Sequence, residues 1–375
     1  CRTANSVFSI AFLSPPIGRC KAGKLVDLRH STVLGGLEPT SAAMDAKSGV
    51  GKEGGGLPED KDRSGNDKAN KKRGSQDIFG ELDHKKIIRE VWAHNLKEEM
   101  ERIMDLVDDY PFIAMDTEFP GIVARPVGPF RNSQECRYRL LKCNVDLLKI
   151  IQMGLCFCDA EGRLPPGVCV WQFNFKFDLS EDMYARDSIE FLKKSGIDFD
   201  RHAKEGIDVM DFAEVLITSA IVLNEDVTWV TFHSGYDYGY LLRLLTCEKL
   251  PDKEDEFFEL LKTYCPCVYD VRFLMKSCRL KGGLSSVANH FGIKRCGPQH
   301  QAGSDSLLTQ AVFFHLRNNH FDGRLGSPHN SSSRSNNSGH ADRSNKYMNH
   351  LYGLGSESQP VLPAPSKQRR GASDK

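Results

Sequence analysis

The sequence predicts an α/β domain, a mixed central sheet flanked by helices, on three observations. Short apolar runs of strand length recur between residues 87 and 270, among them FIAM (112–115), MGLCFC (153–158) and VTWV (227–230). Two such runs are separated by AEGRLPPG (160–167), a turn-rich spacer that fits an antiparallel hairpin. Further along, apolar runs alternate with stretches of helical period, as strands and their crossover helices do. Hairpin pairing and alternation in one chain imply a sheet with both parallel and antiparallel neighbours.

Taken in order, IIREVWA (87–93) alternates well enough for a strand. Asn95, with Glu98 three residues later, predicts a capping box that opens the helix LKEEMERIMDLVDD. FIAMD follows as a strand, then a polar, Arg-containing loop to about Tyr138. IIQMGLCFCD and VCVWQFNF form the hairpin. Residues 187–223 carry helical periodicity through Phe191, Leu192 and Ile197, then Val209, Phe212, Val215 and Leu216. VTWVTFH (227–233) is a buried strand running into the helix start GYDYGYLLRLL. VYD (268–270) is a last short strand before the helix VRFLMKSC, and SLLTQAVFFHLRN closes the domain as an apolar helix.

The formal net charge of zero hides a segregation: +4 over residues 1–77, −9 over 78–322 and +5 over 323–375. An acidic middle argues against a protein that grips nucleic acid by a broad basic stripe, and suits one that gathers cations. Residues 1–77, rich in Gly, Lys and Asp, read as a disordered or mis-annotated extension, with translation expected from Met44. Alternatively residues 1–26, basic and free of acids, suit an organelle transit peptide. Residues 78–322 read as the single folded domain, and 323–375 as a disordered polar tail. The 12 cysteines lack zinc-site spacing and sit largely in apolar runs, as reduced thiols of a cytosolic or nuclear protein do. No apolar run approaches the roughly 18 residues of a membrane span.

The strand FIAMDTE ends on two acids. Side chains two apart on a strand share a face, so Asp116 and Glu118 project together at its C-terminal end, where open α/β sheets place ligands. Two anions that close repel unless a cation sits between them. A solvated strand end, or pairing with Arg125 or Arg131, accounts for them equally well. FHSGYDYGY adds Asp237 on the first turn of a helix, where it could also serve the helix dipole. QHQAGSDSLLT adds Asp305 on a helix with His300 five residues earlier, a spacing that leaves the histidine on the entering loop.

Strand-DxE, a later Asp and then H-x4-D resemble the DEDD superfamily of 3′-to-5′ exonucleases, in its histidine subgroup. The longer blocks IREVWAHNLKEEM, AMDTEFPGIVARPVG, YRLLKCNVDLLKIIQMGLCF, TFHSGYDYGYLLRLL and GPQHQAGSDSLLT are similar to the Caf/Pop-type deadenylase, the catalytic subunit of the Ccr–Not complex. The resemblance covers about 84–320. It implies an RNase H-like fold and a 3′-to-5′ exoribonuclease that shortens mRNA poly(A) tails, releasing AMP. It further implies metal ligands Asp116, Glu118, Asp237 and Asp305, with His300 as general base. A Not scaffold subunit and a second deadenylase are the implied partners, and cytoplasm and nucleus the implied compartments.

The residue chemistry agrees with that implication. Two divalent ions about 3.5–4 Å apart can activate a water and steady the departing 3′ oxygen of a phosphodiester. An all-oxygen ligand set selects hard ions, Mg²⁺ or Mn²⁺, and their charge turns an acidic cluster into a phosphate site. In this scheme Glu118 and Asp116 can share a metal, Asp116 can bridge both ions, and Asp237 and Asp305 complete the two shells. An imidazole, with an ordinary pKa near 6.5, can take the proton of the attacking water. Single-stranded poly(A) is expected to be read by stacking and by its 2′-hydroxyls. Phe119 is a candidate for packing on the terminal base, with core packing the equal alternative, and the same holds for Pro120. Asp270 reads as a helix cap, His233 as a packed core histidine, and Glu135, Asp146 and the acids of 252–256 as solvated. Two other functions are compatible with these residues: a same-fold exonuclease on another RNA or on DNA, and a non-catalytic adaptor of the complex.

Overall fold

The structure is a computed structural model and describes residues 83–323, 325–326 and 346–355. The expectations for residues 1–77 and for most of the polar tail lie outside the described residues.

Strands β1 (Ile88–Val91), β2 (Phe112–Glu118), β3 (Gln152–Cys158), β4 (Val170–Asn174), β5 (Thr228–Thr231) and β6 (Cys267–Asp270) form one sheet in the order β1-β4-β3-β2-β5-β6. The central β2, β3 and β4 pair antiparallel, while β1 joins β4, and β5 and β6 extend from β2, in parallel. This is the mixed sheet that hairpin and alternation predict. The helices are α1 (His84–Ile87), α2 (Leu96–Met104), α3 (Ser133–Leu147), α4 (Arg186–Lys194), α5 (Phe199–Glu205), α6 (Val209–Ile217), α7 (Gly235–Thr246), α8 (Glu254–Tyr264), α9 (Val271–Ser277), α10 (Leu284–His290) and α11 (Ala302–His320).

The pleat sorts the core into two faces. Ile113, Met115, Leu155, Phe157, Trp171 and Phe173 join apolar residues of α2, α3, α6 and α7 on one side. Phe112, Ala114, Cys156, Cys158 and Val170 face α9, α10 and α11 on the other. Helix α11 is buried from Ala302 through Phe314, so nearly every side chain of that run meets protein. A helix enclosed in this way carries no amphipathic stripe, and only its length betrays it in the sequence.

Several elements differ from expectation. Asn95 does not cap α2; its Oδ1 accepts from Trp92 N at 2.7 Å, closing a 3-10 turn over Ala93–Asn95. The loop expected up to Tyr138 ends at Asn132, whose side chain accepts from Glu135 N at 2.8 Å and starts α3. The polar first turn that made this stretch look like loop is the turn that its cap requires. Helices α8 and α10 were not foreseen, and residues 187–223 divide into three helices.

Residues 346–355, within the expected tail, pack on the domain. Leu351 and Leu354 enter the larger core. Asn349 N donates to Val268 O at 2.8 Å and its Oδ1 accepts from Val268 N at 3.0 Å, so the segment pairs with the edge of β6. Arg137 Nε donates to Gly353 O at 2.6 Å, and Gly355 N to Glu254 Oε1 at 2.8 Å. The average composition of 323–375 conceals YMNHLYGL (347–354), which is apolar enough to bury.

Asp270 caps α9 as expected, accepting from Arg272 N at 2.8 Å, and also gathers His233 N at 3.0 Å and Tyr352 N at 2.8 Å. His233 is not a core histidine: it is half-buried, at φ +61°, with its ring edge-on to Tyr352 at 5.0 Å. Nor is Asp146 simply solvated. It pairs with Lys142 Nζ at 2.8 Å and accepts from Leu250 N at 2.9 Å, tying α3 to the segment before α8.

Candidate active site

Two rows of polar residues cross the sheet beneath the start of α11. Register pairs Asp116 with Gly154, Gly154 with Gln172 and Gln172 with Glu90; the next row is Glu118, Gln152 and Asn174. Register partners share a face, so both carboxylates of the DTE motif project toward α11, and both are buried. The amides of the rows serve the helix. Gln172 Oε1 accepts from Gly303 N at 2.8 Å and Gln152 Oε1 from Ala302 N at 3.3 Å, satisfying backbone donors that a helix start leaves without partners. Gln301 Oε1 in turn accepts from Gln172 Nε2 at 3.0 Å and from Gln152 Nε2 at 3.2 Å.

Gly154, opposite Asp116, permits this approach. A Cβ there would overlap the carbonyl of Ala302 and lie 2.6 Å from Gly303 N, against backbone that cannot turn aside. Gly154→Ala is therefore expected to push the first turn of α11 off the sheet. The expected destabilisation is about 1–3 kcal/mol or more, read from the urea midpoint. Activity should fall with it, because α11 carries Asp305.

Asp305 lies in the first turn of α11, and its two oxygens are held from different sides. Oδ2 accepts from His300 N at 3.0 Å, while Arg295 Nη1 reaches Oδ1 at 2.5 Å. Arg295 is anchored by Ser285 Oγ at 3.0 Å and Ser304 Oγ at 3.2 Å. His300 stands on the loop entering the helix, as the five-residue spacing requires, in a left-handed conformation at φ +61°. That conformation costs a non-glycine residue about 1–2 kcal/mol and aims the imidazole back over the sheet. One ligand atom each of Glu118, His300 and Asp305 lies within 4.8 Å of the others.

Asp237 arrives from the opposite layer. The ladder between β2 and β5 ends at Ala114 and Val230, so beyond that pair β2 leaves its parallel neighbour. Into this divergence α7 places Asp237 in its first turn. Its Oδ1 accepts from Thr117 N at 2.9 Å and from Thr117 Oγ1 at 2.6 Å. Asp237 is thereby tied to the residue between Asp116 and Glu118, and it too is buried. The divergence of two parallel strands at their C-terminal ends is the crevice where α/β sheets place ligands.

Of the five residues singled out in the sequence, the structure gathers Glu118, His300 and Asp305 into one cluster. Asp116 shares the strand face of Glu118 and Asp237 is bonded to Thr117 between them, but neither joins that 4.8 Å cluster. Phe119 has a packing role: its ring stacks on Tyr236 at 4.9 Å and tilts against Tyr240 at 5.3 Å. Burial pushes the phenols of Tyr236 and Tyr240 well above their ordinary range, so neither contributes charge here at neutral pH. Thr117, Arg295 and the glutamines of the two rows were missed. Thr117 could have been found, since it separates the two acids; nothing local marks Arg295 or the glutamines.

The donor set fits hard divalent ions: four buried carboxylates from three separate segments, with an imidazole beside two of them. A mixed sheet with acids converging at the end of a central strand defines an α/β nuclease-type domain. A family model described as CAF1 family ribonuclease matches residues 91–215. The chain is 50% identical over 270 residues to the poly(A) ribonuclease pop2 of Schizosaccharomyces pombe, covering 72% of this chain and 75% of that protein. It is 51% identical over 282 residues to the probable CCR4-associated factor 1 homolog 7 of Arabidopsis thaliana, covering 73% and 96%. The solved structure of S. pombe Pop2p in its Mg²⁺- and Mn²⁺-bound form aligns with a TM-score of 0.65 and 50% identity, over 71% of this chain and 99% of that one. A chain in the structure of the yeast NOT1 MIF4G domain co-crystallised with CAF1 aligns with a TM-score of 0.57 and 28% identity, over 71% and 96%. The chain belongs to the CAF1 family of ribonucleases.

Proposed function

We propose that this protein is a 3′-to-5′ exoribonuclease that shortens poly(A) tails by two-metal phosphodiester hydrolysis, releasing AMP. The observation that carries this reading is the convergence of Glu118, His300 and Asp305 within 4.8 Å, beside Asp237 bonded to Thr117 of the DTE motif. Asp116, Glu118, Asp237 and Asp305 would hold the ions, Mg²⁺ or Mn²⁺. When bound, these supply a nucleophile at neutral pH and neutralise charge at the scissile phosphate.

The chain's own groups do the rest. Thr117 fixes the plane of the Asp237 carboxylate through two hydrogen bonds. Arg295 and the His300 amide fix that of Asp305, so little reorganisation remains when ligand arrives. His300, held at the mouth of α11, takes the proton of the attacking water. Asp116, on the same strand face as Glu118, would hold metal alongside it. The poly(A) substrate follows the naming of pop2, and docking on a Not scaffold subunit follows the CAF1 co-crystallised with NOT1. A second deadenylase as neighbour, and work in cytoplasm and nucleus, complete the proposal. The ten cysteines among the described residues are all free, which suits those reducing compartments.

The test is a panel of labelled oligomers, A-tailed, U-tailed and DNA, incubated with purified protein in Mg²⁺, in Mn²⁺ and in EDTA. Stepwise shortening of the A-tailed RNA from its 3′ end, abolished by EDTA and restored by metal, is expected. Equal degradation of all three would move the substrate to nucleic acid in general, and activity surviving EDTA would remove the two-metal mechanism.

A further inference from the structure

We propose that Phe191 is the stacking platform for the nucleobase at the substrate's 3′ end. Helix α4 commits Ile189 and Leu192 to a small core with Ile151, Phe177, Ile197 and Phe199. Phe191, between them in sequence, belongs to none of the domain's core clusters and is 41% exposed. Its ring lies edge-on to the imidazole of His300, with centroids 4.4 Å apart and planes at 65°. A large aromatic left out of every core and set against a residue of the candidate active site is not explained by folding.

Helix α4 is held to both halves of the crevice, so the platform is fixed rather than swinging. Before its first turn, Ala185 N donates to Pro120 O at 2.9 Å, two residues past Glu118. At its end, Ser195 O accepts from Gln301 Nε2 at 3.0 Å, one residue past His300. The helix therefore bridges the exit of β2 and the entry of α11. Phe119, the other aromatic at the crevice, already stacks on Tyr236. Phe191 offers exposed ring surface instead, and every base has a π-face to lay on it.

The ligand is a nucleobase of single-stranded RNA, here the terminal adenine, so this inference rests on the exoribonuclease reading above. The experiment measures steady-state kinetics of the full chain, Phe191→Ala and Phe191→Trp on an A-oligomer and on the same oligomer ending in an abasic nucleotide. Thermal midpoints and Mn²⁺ titrations of each protein accompany the kinetics. For Phe191→Ala we expect KM on the intact oligomer to rise about 10- to 100-fold, with kcat within a few-fold. On the abasic oligomer Phe191→Ala should match the parent, and Phe191→Trp should keep the parent's KM on both. Unchanged KM in Phe191→Ala would overturn the proposal. So would an equal penalty on both oligomers, or a loss confined to kcat, since Phe191 would then act only by holding His300. If the parent chain itself shortens no oligomer, the exoribonuclease reading fails first; if it does and Phe191→Ala makes no distinction, only the platform falls.

Discussion

Asp116→Ala is expected to abolish hydrolysis and metal uptake together. The side chain sits on a central strand opposite Gly154, buried beneath the first turn of α11, with Glu118 two residues on and Asp237 bonded to the residue between them. No neighbouring acid can take its place: Glu118 occupies its own position on the same strand, and Asp237 and Asp305 come from other segments and are already held by Thr117 and Arg295. Charge stabilisation by bound metal is worth several kcal/mol. Losing it corresponds to roughly a thousandfold or more in turnover, since each 1.36 kcal/mol is about tenfold. Calorimetric titration with Mn²⁺ and initial rates at saturating Mg²⁺ read the two losses separately. Full Mg²⁺-dependent activity in Asp116→Ala would refute the site assignment. The fold should survive, since removing a buried anion from among other anions relieves repulsion.

His300→Ala should behave differently. A positioned general base contributes about 10²- to 10⁴-fold, and that factor should vanish from kcat while Mn²⁺ still binds. The geometry makes the second readout informative. His300 contributes a ring nitrogen to the same 4.8 Å cluster as Glu118 and Asp305, so it has the reach of a ligand as well as of a base. If Mn²⁺ affinity fell as far in His300→Ala as in Asp116→Ala, the imidazole would be a ligand and the base would have to be sought elsewhere. Because His300 N also holds Asp305 Oδ2 and the substitution keeps that amide, the helix entry should be retained.

Much of this site was legible from residue order. The period of two on β2 put Asp116 and Glu118 on one face, and the spacing of five put His300 on a loop rather than on the helix with Asp305. The hairpin was equally plain, since AEGRLPPG sits between two apolar runs and β3 and β4 do pair across it. What the residue order could not show depends on three-dimensional approach. That Gly154 exists to admit α11, and that Gln152 and Gln172 cap it, follows only from the register of β2, β3 and β4. Arg295 becomes relevant through its contact with Asp305, and Phe191 through a helix that folds back over the crevice. Local errors had local causes. Asn95 had the right neighbour for a capping box yet found a closer donor at Trp92. The polar start of α3 hid the apolar Tyr138, Leu141 and Val145 that its later turns bury.

The docking of residues 346–355 bears on how the molecule is made. Leu351 and Leu354 complete a core whose members begin at Val91, and Asn349 covers the backbone of Val268 at the edge of β6. On the ribosome, some 30 residues separate the end of α11 at His320 from that last piece, or about 2–6 seconds at ordinary elongation rates. For that interval the nascent domain presents a bare strand edge and an open apolar seam, the kind of surface that invites wrong pairing with other chains and that chaperones shield.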